Sequence, residues 1–406
     1  MNFGDQESCT SASENPQDIG QPTSINIYPQ PTSINASDIP PIEMLLDEVL
    51  LEIFACYVEE CRMKGAWHKL ALVCRRWRSI ALGSPLRLNV RIHCSERTPA
   101  RKKLDSWPPF PIVLTVDYCE NWGEDNILAT LEHHHRLCQI EIRDISSSLL
   151  EKALPLMQKP FPILTDLDIR YTDSEMASIV PDSFLGGSAP QLRKLNLENL
   201  PFPELPELLL CTTDLVHLKL NQIPDSGYFS ADAMAACLPS LIRLVSLELN
   251  FQSPWPLPER EKRHTSSSTR TLFPSLTRFT FKGASEYLED IVDEIDTPRL
   301  DSLIISFFRQ PILDTTRLAR FIGRLPKLKS CFASICLGGR HTYVEVSSLS
   351  KKTTTKAFIS LGDWQGEPDF QLSSLVQLCT SSFLQALIPK AEVLVIVGYN
   401  FSSPPG

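Results

Sequence analysis

Between residues 137 and 305 one arrangement of apolar and polar positions recurs, apolar-x-x-apolar-x-apolar, with leucine the commonest apolar residue. Its copies are Leu137/Ile140/Ile142, Leu164/Leu167/Ile169, Leu192/Leu195/Leu197, Leu215/Leu218/Leu220, Leu244/Leu247/Leu249, Leu276/Phe279/Phe281 and Leu300/Leu303/Ile305. The closing alternation is that of a strand with one buried face, because successive side chains of a strand point to opposite sides. Weaker copies flank the series at Val113/Val116 and Leu328/Cys331. Several copies share a proline lead-in: Pro162, Pro190, Pro274, Pro298 and Pro326 each stand two residues before the first apolar position. Proline cannot continue a preceding helix and sets an extended approach to the strand.

Helical stretches fall between the strands, at Ala231–Leu238, Glu286–Ile295 and Thr315–Leu325. Each repeat therefore reads as strand, turn and helix. Middle residues of successive copies are 23 to 32 residues apart, a spread that brackets the leucine-rich-repeat period of roughly 20 to 29 residues. One such unit cannot cover its own apolar face and stacking covers it. The predicted architecture is an α/β repeat, an irregular leucine-rich-repeat solenoid with parallel strands on the concave side and helices outside. A doubly wound α/β domain is the structural alternative, although no glycine-rich phosphate loop supports it. The x positions of each strand point away from the core. They include Asp166, Asp168, Arg193, Lys194, Asn196, His217, Lys219, Glu248, Arg278 and Asp301, a face of mixed sign suited to a folded protein partner or to plain solvation.

Ahead of the repeats, apolar residues come in adjacent pairs four apart, Leu45/Leu46, Val49/Leu50, Ile53/Phe54 and Tyr57/Val58. That spacing makes a broad stripe on one side of a helix. After a short insert, Leu70, Leu72, Val73, Cys74 and Trp77 follow within eight residues, then Ile80 and Leu82. About forty residues cannot bury that much apolar surface alone. Either the following domain or another protein must cover it.

The same stretch carries a resemblance. LLDEVLLEIF followed by LALVCRRWRSIA resembles an F-box, a three-helix module that in its family docks on the Skp adaptor of Skp–cullin–F-box ubiquitin ligases. The family usually opens Leu-Pro-x-Glu; here Leu46 stands where the proline would be, so the helix is expected to begin earlier, at Pro40 or Pro41, with Asp38 as its cap. DSFLGGSAPQLRKLNLENLPFPELPELLL, SEYLEDIVDEIDTPRLDSL and LSSLVQLCTSSFLQALIP are similar to the repeat region of a large family of fungal F-box proteins. The resemblance implies a substrate-recognition subunit, linked through the adaptor to cullin and a RING subunit, with an unknown protein substrate. It implies adaptor contacts by Leu45, Leu46, Val49, Leu50, Ile53, Phe54, Leu72, Val73 and Trp77. Thioester chemistry in such complexes belongs to the recruited conjugating enzyme, and the F-box chain contributes proximity. No catalytic residue, cofactor or metal is expected. A repeat scaffold not coupled to ubiquitination is the alternative, and Leu46 favours it.

The remaining sequence sets boundaries. Residues 1–38 are rich in Ser, Thr, Gln, Asn and Pro, cannot offset their ordering entropy and read as a disordered tail. The F-box spans 39–85, a linker 86–110 that includes Trp107-Pro108-Pro109-Phe110-Pro111, the repeat region 111–400, and a tail 401–406. Near its end the spacing breaks: Tyr343 to Val346 and Phe358 to Leu361 read as two strands or a hairpin, then a helix at 372–387 and an apolar strand, Val393 to Val397. A net charge of −9 argues against nucleic acid as the main ligand. No apolar run is long enough for a membrane span and the N-terminus lacks signal-peptide features, so an intracellular protein with reduced cysteines is expected. The loose series Cys56, Cys61, His68, Cys74 and the run His133-His134-His135 with Cys138 lack the spacing of a zinc site.

Overall fold

The computed structural model describes residues 41–61, 67–85, 88, 90–117, 123–172, 178–253, 270–308, 315–326, 331–337, 342–348, 356–361 and 391–398. The expected tails at 1–38 and 401–406 and the expected helix at 372–387 lie outside them. Two compact units divide the chain, residues 1–53 and 54–406. The division falls inside the first helix rather than at residue 85.

Three helices run where the paired apolar pattern stands: α1 (Asp47–Cys61), α2 (Trp67–Val73) and α3 (Arg75–Gly83). The expected early start of α1 is corrected. A 3-10 turn occupies Pro41–Met44 and the α-helix opens at Asp47. Asp47 and Glu48 fill its first turn, where the positive end of the helix dipole favours carboxylates. α2 and α3 are separated by Cys74, whose extended backbone and Sγ, accepting from the Trp77 N–H at 3.4 Å, cap α3.

In chain order the strands are β1 (Ile92–Cys94), β2 (Ile112–Val116), β3 (Leu137–Ile145), β4 (Asp166–Tyr171), β5 (Lys194–Glu198), β6 (His217–Ile223), β7 (Ser246–Phe251), β8 (Thr271–Leu272), β9 (Arg278–Gly283), β10 (Ile295–Asp296), β11 (Ser302–Phe307), β12 (Cys331–Leu337), β13 (Thr342–Ser348), β14 (Lys356–Leu361) and β15 (Ala391–Gly398). The main sheet runs β1-β2-β3-β4-β5-β6-β7-β9-β11-β14-β13-β12-β15, and β8 pairs with β10 apart from it. From β1 to β11 the nine strands pair in parallel and in sequence order. The order never reverses there, so the switch point of a doubly wound sheet is absent among these strands. The fold is α/β, with helices following parallel strands.

Register makes the repeat explicit. Ile140, Leu167, Leu195, Leu218, Leu247, Phe279 and Leu303, the middle residues of the seven copies, are Cα partners from strand to strand. All seven are at most 2% exposed. The lead-ins repeat one hydrogen-bond device. Two consecutive N–H groups of each new repeat donate to a single carbonyl of the one before: Arg193 and Lys194 to Thr165, Val216 and His217 to Arg193, Val245 and Ser246 to Val216, Thr277 and Arg278 to Val245, Asp301 and Ser302 to Thr277. Buried backbone donors at each strand entrance are thereby satisfied.

The helices form a second layer over the apolar face. They are α4 (Ala100–Ser106), α5 (Glu124–Leu131), α6 (Ser147–Leu156), α7 (Leu205–Leu210), α8 (Ala231–Cys237), α9 (Ser285–Glu294) and α10 (Thr316–Arg324). Neighbours pack on one another, α4 on α5, α5 on α6, α7 on α8, α8 on α9 and α9 on α10. Glu289 of α9, buried, accepts from the N–H groups of Arg317 and Leu318 at 2.7 Å each, so one repeat's carboxylate caps the next repeat's helix.

Two boundary readings are corrected. Residues 86–110 are not simply a linker, because β1 pairs with β2 (Ile92 with Ile112) and α4 follows it. Within that stretch Phe110 is buried, and the rings of Trp107 and Phe110 lie 5.2 and 5.9 Å from Trp67, whose Nε1 donates to the Arg91 carbonyl at 2.9 Å. At the far end Leu328/Cys331 do not continue the series. Leu328 lies outside the described residues, Cys331 opens β12, and the strand beside β11 is β14. β13 and β14 form the expected hairpin, and β15 pairs parallel with β12. At the near end Leu114, not Val116, aligns with Ile140.

Candidate protein-interaction surfaces

Alternation divides each repeat strand between two faces. In β4 to β7 the side chains of Leu167, Leu195, Leu218 and Leu247 are buried, while Asp166, Asp168, Asn196, His217, Lys219 and Glu248 are only partly covered and Lys194 is exposed. Register sets these polar residues in rows across the sheet. One row runs Gln139, Asp166, Lys194, His217, Ser246, Arg278, Ser302; the next runs Glu141, Asp168, Asn196, Lys219, Glu248, Thr280, Ile304. Eight of the ten face residues expected from sequence fall in these two rows. Arg193 and Asp301 do not, because both precede their strands and sit in the lead-in turns.

The rows are cross-linked. Asp166 accepts from Thr165 Oγ1 at 2.6 Å and Gln139 Nε2 at 3.1 Å, and pairs with Lys194 Nζ at 3.1 Å. Burial pushes the Asp166 carboxyl up, but bonds from Thr165, Lys194 and Gln139 outweigh it and hold the group below its ordinary 3.8. Asp168 is gripped by Arg170, at 3.1 and 3.0 Å, and by Asn196 Nδ2 at 2.8 Å. Lys219 Nζ lies 3.4 Å from Glu248 Oε1, which also accepts from Asn250 Nδ2 at 2.8 Å. Asn221 Nδ2 donates to Glu198 at 3.1 Å, and Asn250 Nδ2 is 3.1 Å from Asn221 Oδ1. Such pairs fix side-chain positions more than they stabilise the fold, since half-exposed ion pairs contribute about 0–1 kcal/mol each. The His217 ring is kept more neutral than usual, by burial first and then by Lys194 and Arg278, against a weaker pull from Asp166.

Above these rows lies a groove of about 810 Å³, running from Arg91, His93 and Trp67 past β2 to β7. Neither a family model nor a curated protein matches this chain. The groove is instead read from its own residues. Glu141, Arg170, Glu198, Asn221 and Asn250 belong to it or adjoin it and were not among the sequence candidates. Extending the two-residue alternation one step past the last apolar position would have found the last four of them. Arg91, His93 and Trp67 left no such signal, because their place depends on the pairing of β1.

Large apolar side chains are also exposed in each of the two units. Within residues 1–53, Leu46 is 69%, Val49 42% and Ile53 43% exposed, Leu45 is partly covered, and Leu50 is fully buried. Within residues 54–406, Leu72 is 68% and Val73 59% exposed, while Phe54 is fully buried and Trp77 is partly covered, its ring 4.7 Å from that of Phe54. Leu50 and Phe54 are therefore core residues, corrected from the expected contact set, and Trp77 packs at least in part internally. The other expected contacts keep apolar surface in water.

Among the described residues no group of three His, Cys, Asp or Glu side chains could hold a metal ion. Cys56, Cys74, Cys94, Cys138, Cys211 and Cys237 are free thiols. No helix among the described residues is long and apolar enough to cross a membrane.

Proposed function

We propose that this chain is a non-catalytic, substrate-recruiting subunit of a Skp–cullin–F-box ubiquitin ligase. Its helices α1 to α3 are the F-box that grips the Skp adaptor. Its strands form an irregular leucine-rich-repeat solenoid whose open face binds a protein substrate. The observation that carries the reading is the pairing of an in-register parallel repeat, polar on its open face, with a three-helix segment that leaves Leu46, Val49, Ile53, Leu72 and Val73 at least two-fifths exposed. Large apolar side chains left in water in each unit favour a protein partner.

Co-purification with the Skp adaptor tests this. The intact chain is expected to elute with the adaptor as one complex. Leu72→Asp, at a position already mostly solvated, is expected to break the complex while leaving the fold intact, because it sets a charge in an apolar contact. A folded chain that elutes alone would sink the proposal. The alternative, a repeat scaffold without a ligase, is favoured by Leu46 in place of proline. It predicts no adaptor complex and an unchanged partner half-life when the chain is removed.

A further inference from the structure

The open face is read above as the substrate surface; on that reading rests a statement of what the surface recognises. Four neighbouring strands carry Lys194, His217, Ser246 and Arg278 in one register row. Adjacent strands are about 4.8 Å apart, so the row spans three strand steps, roughly 14 Å. Arg193 stands one residue before Lys194, at the same end of the sheet.

The charges facing this row are largely of one sign. Lys194 is tied to Asp166 at 3.1 Å. Arg193 and Arg278 are exposed, and among the described residues neither side chain has a hydrogen bond or ion pair. The acids at this end of the sheet are already engaged: Asp166 by Thr165, Gln139 and Lys194, Glu248 by Lys219 and Asn250, and Asp301, one residue before Arg278's partner Ser302, has an interaction of its own. No carboxylate stands in the row beyond Asp166, and Ser246 between His217 and Arg278 adds a hydroxyl donor. A chain of net charge −9 repels acidic partners at long range. Beside the paired Lys194, Arg193 and Arg278 therefore leave local positive charge on a chain that is acidic overall.

We propose that the row Lys194–His217–Ser246–Arg278 docks an acidic segment of a protein partner, its carboxylates set between His217 and Arg278. A bound carboxylate favours the protonated ring of His217. Docking then takes up a proton, and affinity rises as pH falls toward the free ring's own pKa, which burial, Lys194 and Arg278 hold below the ordinary 6.5. The groups that tune His217 are Lys194 and Arg278, which oppose its charge, and Asp166, which supports it.

Fluorescence anisotropy on the full chain tests this, with a short labelled peptide of alternating glutamate and serine and its lysine counterpart. The glutamate peptide is expected to bind and the lysine peptide not. Lys194→Glu with Arg278→Glu, both at exposed positions, should weaken binding roughly tenfold, the size expected of two reversed surface charges. Asp166→Asn should strengthen it by releasing Lys194, and His217→Gln should remove the pH dependence. Equal binding of the two peptides, binding of neither, or unchanged affinity in a charge-reversed chain with native circular dichroism would overturn the assignment. Adaptor association is scored separately on the same preparations. A chain that binds acidic peptide without the adaptor keeps this assignment and loses the ligase reading.

Discussion

Leu218 and Lys219 are chain neighbours on β6 that belong to different molecular surfaces. Leu218 is 1% exposed beneath the helix layer, whereas Lys219 faces the groove with its ammonium 3.4 Å from Glu248. The same contrast repeats on β4, β5, β7 and β9. The buried face holds one residue class in all seven copies, while the open face holds acids, cations, amides and hydroxyls without a repeating pattern. Burial allows few residue types at a position; solvent allows many, and a binding partner selects among them. The buried face therefore explains why the chain stacks, and the open face is where one such chain can differ from another.

Substitutions can break that comparison. Leu218→Ala is expected to cost about 3 kcal/mol, as for other large-to-small core changes. Chemical denaturation would measure it, and a loss under about 1 kcal/mol would mean the repeat core is loosely packed. Glu289→Ala should come next, at about 2 kcal/mol, because it leaves the Arg317 and Leu318 N–H groups at the start of α10 without their acceptor. The same melt, with hydrogen exchange confined to α10, distinguishes this from general loosening.

Tyr287→Phe should run the other way. The Tyr287 hydroxyl is buried with no hydrogen-bond partner among the described residues, and burial, with Tyr228 and Cys237 nearby, pushes its pKa well up. Removing it is expected to stabilise by about 1 kcal/mol, the cost of an orphan polar group. A destabilised variant would show that the hydroxyl is satisfied after all.

pH should act through the open face. Asp166 sits below its ordinary 3.8, so its contribution is present above that value and is lost as pH falls below it through the lower pKa of the folded chain. His217 sits below its ordinary 6.5, so nothing is lost above that value, and below it the unfolded chain takes up a proton that the folded chain resists. Both effects lower stability on the acid side. Asp166→Asn and His217→Gln should each flatten the acid limb of a denaturation-midpoint profile. Smallest of all, Lys219→Ala is expected to change stability by less than about 0.5 kcal/mol, as the half-exposed partner of a surface ion pair.

The repeat was legible because it is written in spacing. The register row from Ile140 to Leu303 joins the middle apolar positions read from sequence, and the β13–β14 hairpin falls where the spacing breaks. What escaped depends on tertiary pairing. The run Leu86, Leu88, Val90, Ile92 reads as strand-like and its last residue opens the three-residue β1, but nothing local to it tells that β1 pairs with β2. The insertion of β14 beside β11 crosses sequence order, which local periodicity cannot encode. Leu50 and Phe54 share the stripe with Leu46, Val49 and Ile53, so a helical pattern alone could not say which would be buried. On the open face the candidates from β4 to β9 were legible as alternate positions, but their ion-pair network and the extension of the groove to Trp67 were not.

Hydrogen exchange on the full chain, with and without the Skp adaptor, tests the account most directly. The proposed function predicts slowed exchange in α1 to α3 on adding the adaptor, with the amides of β3 to β11 unchanged. No protection in the helical segment, or protection confined to the strands, would contradict it.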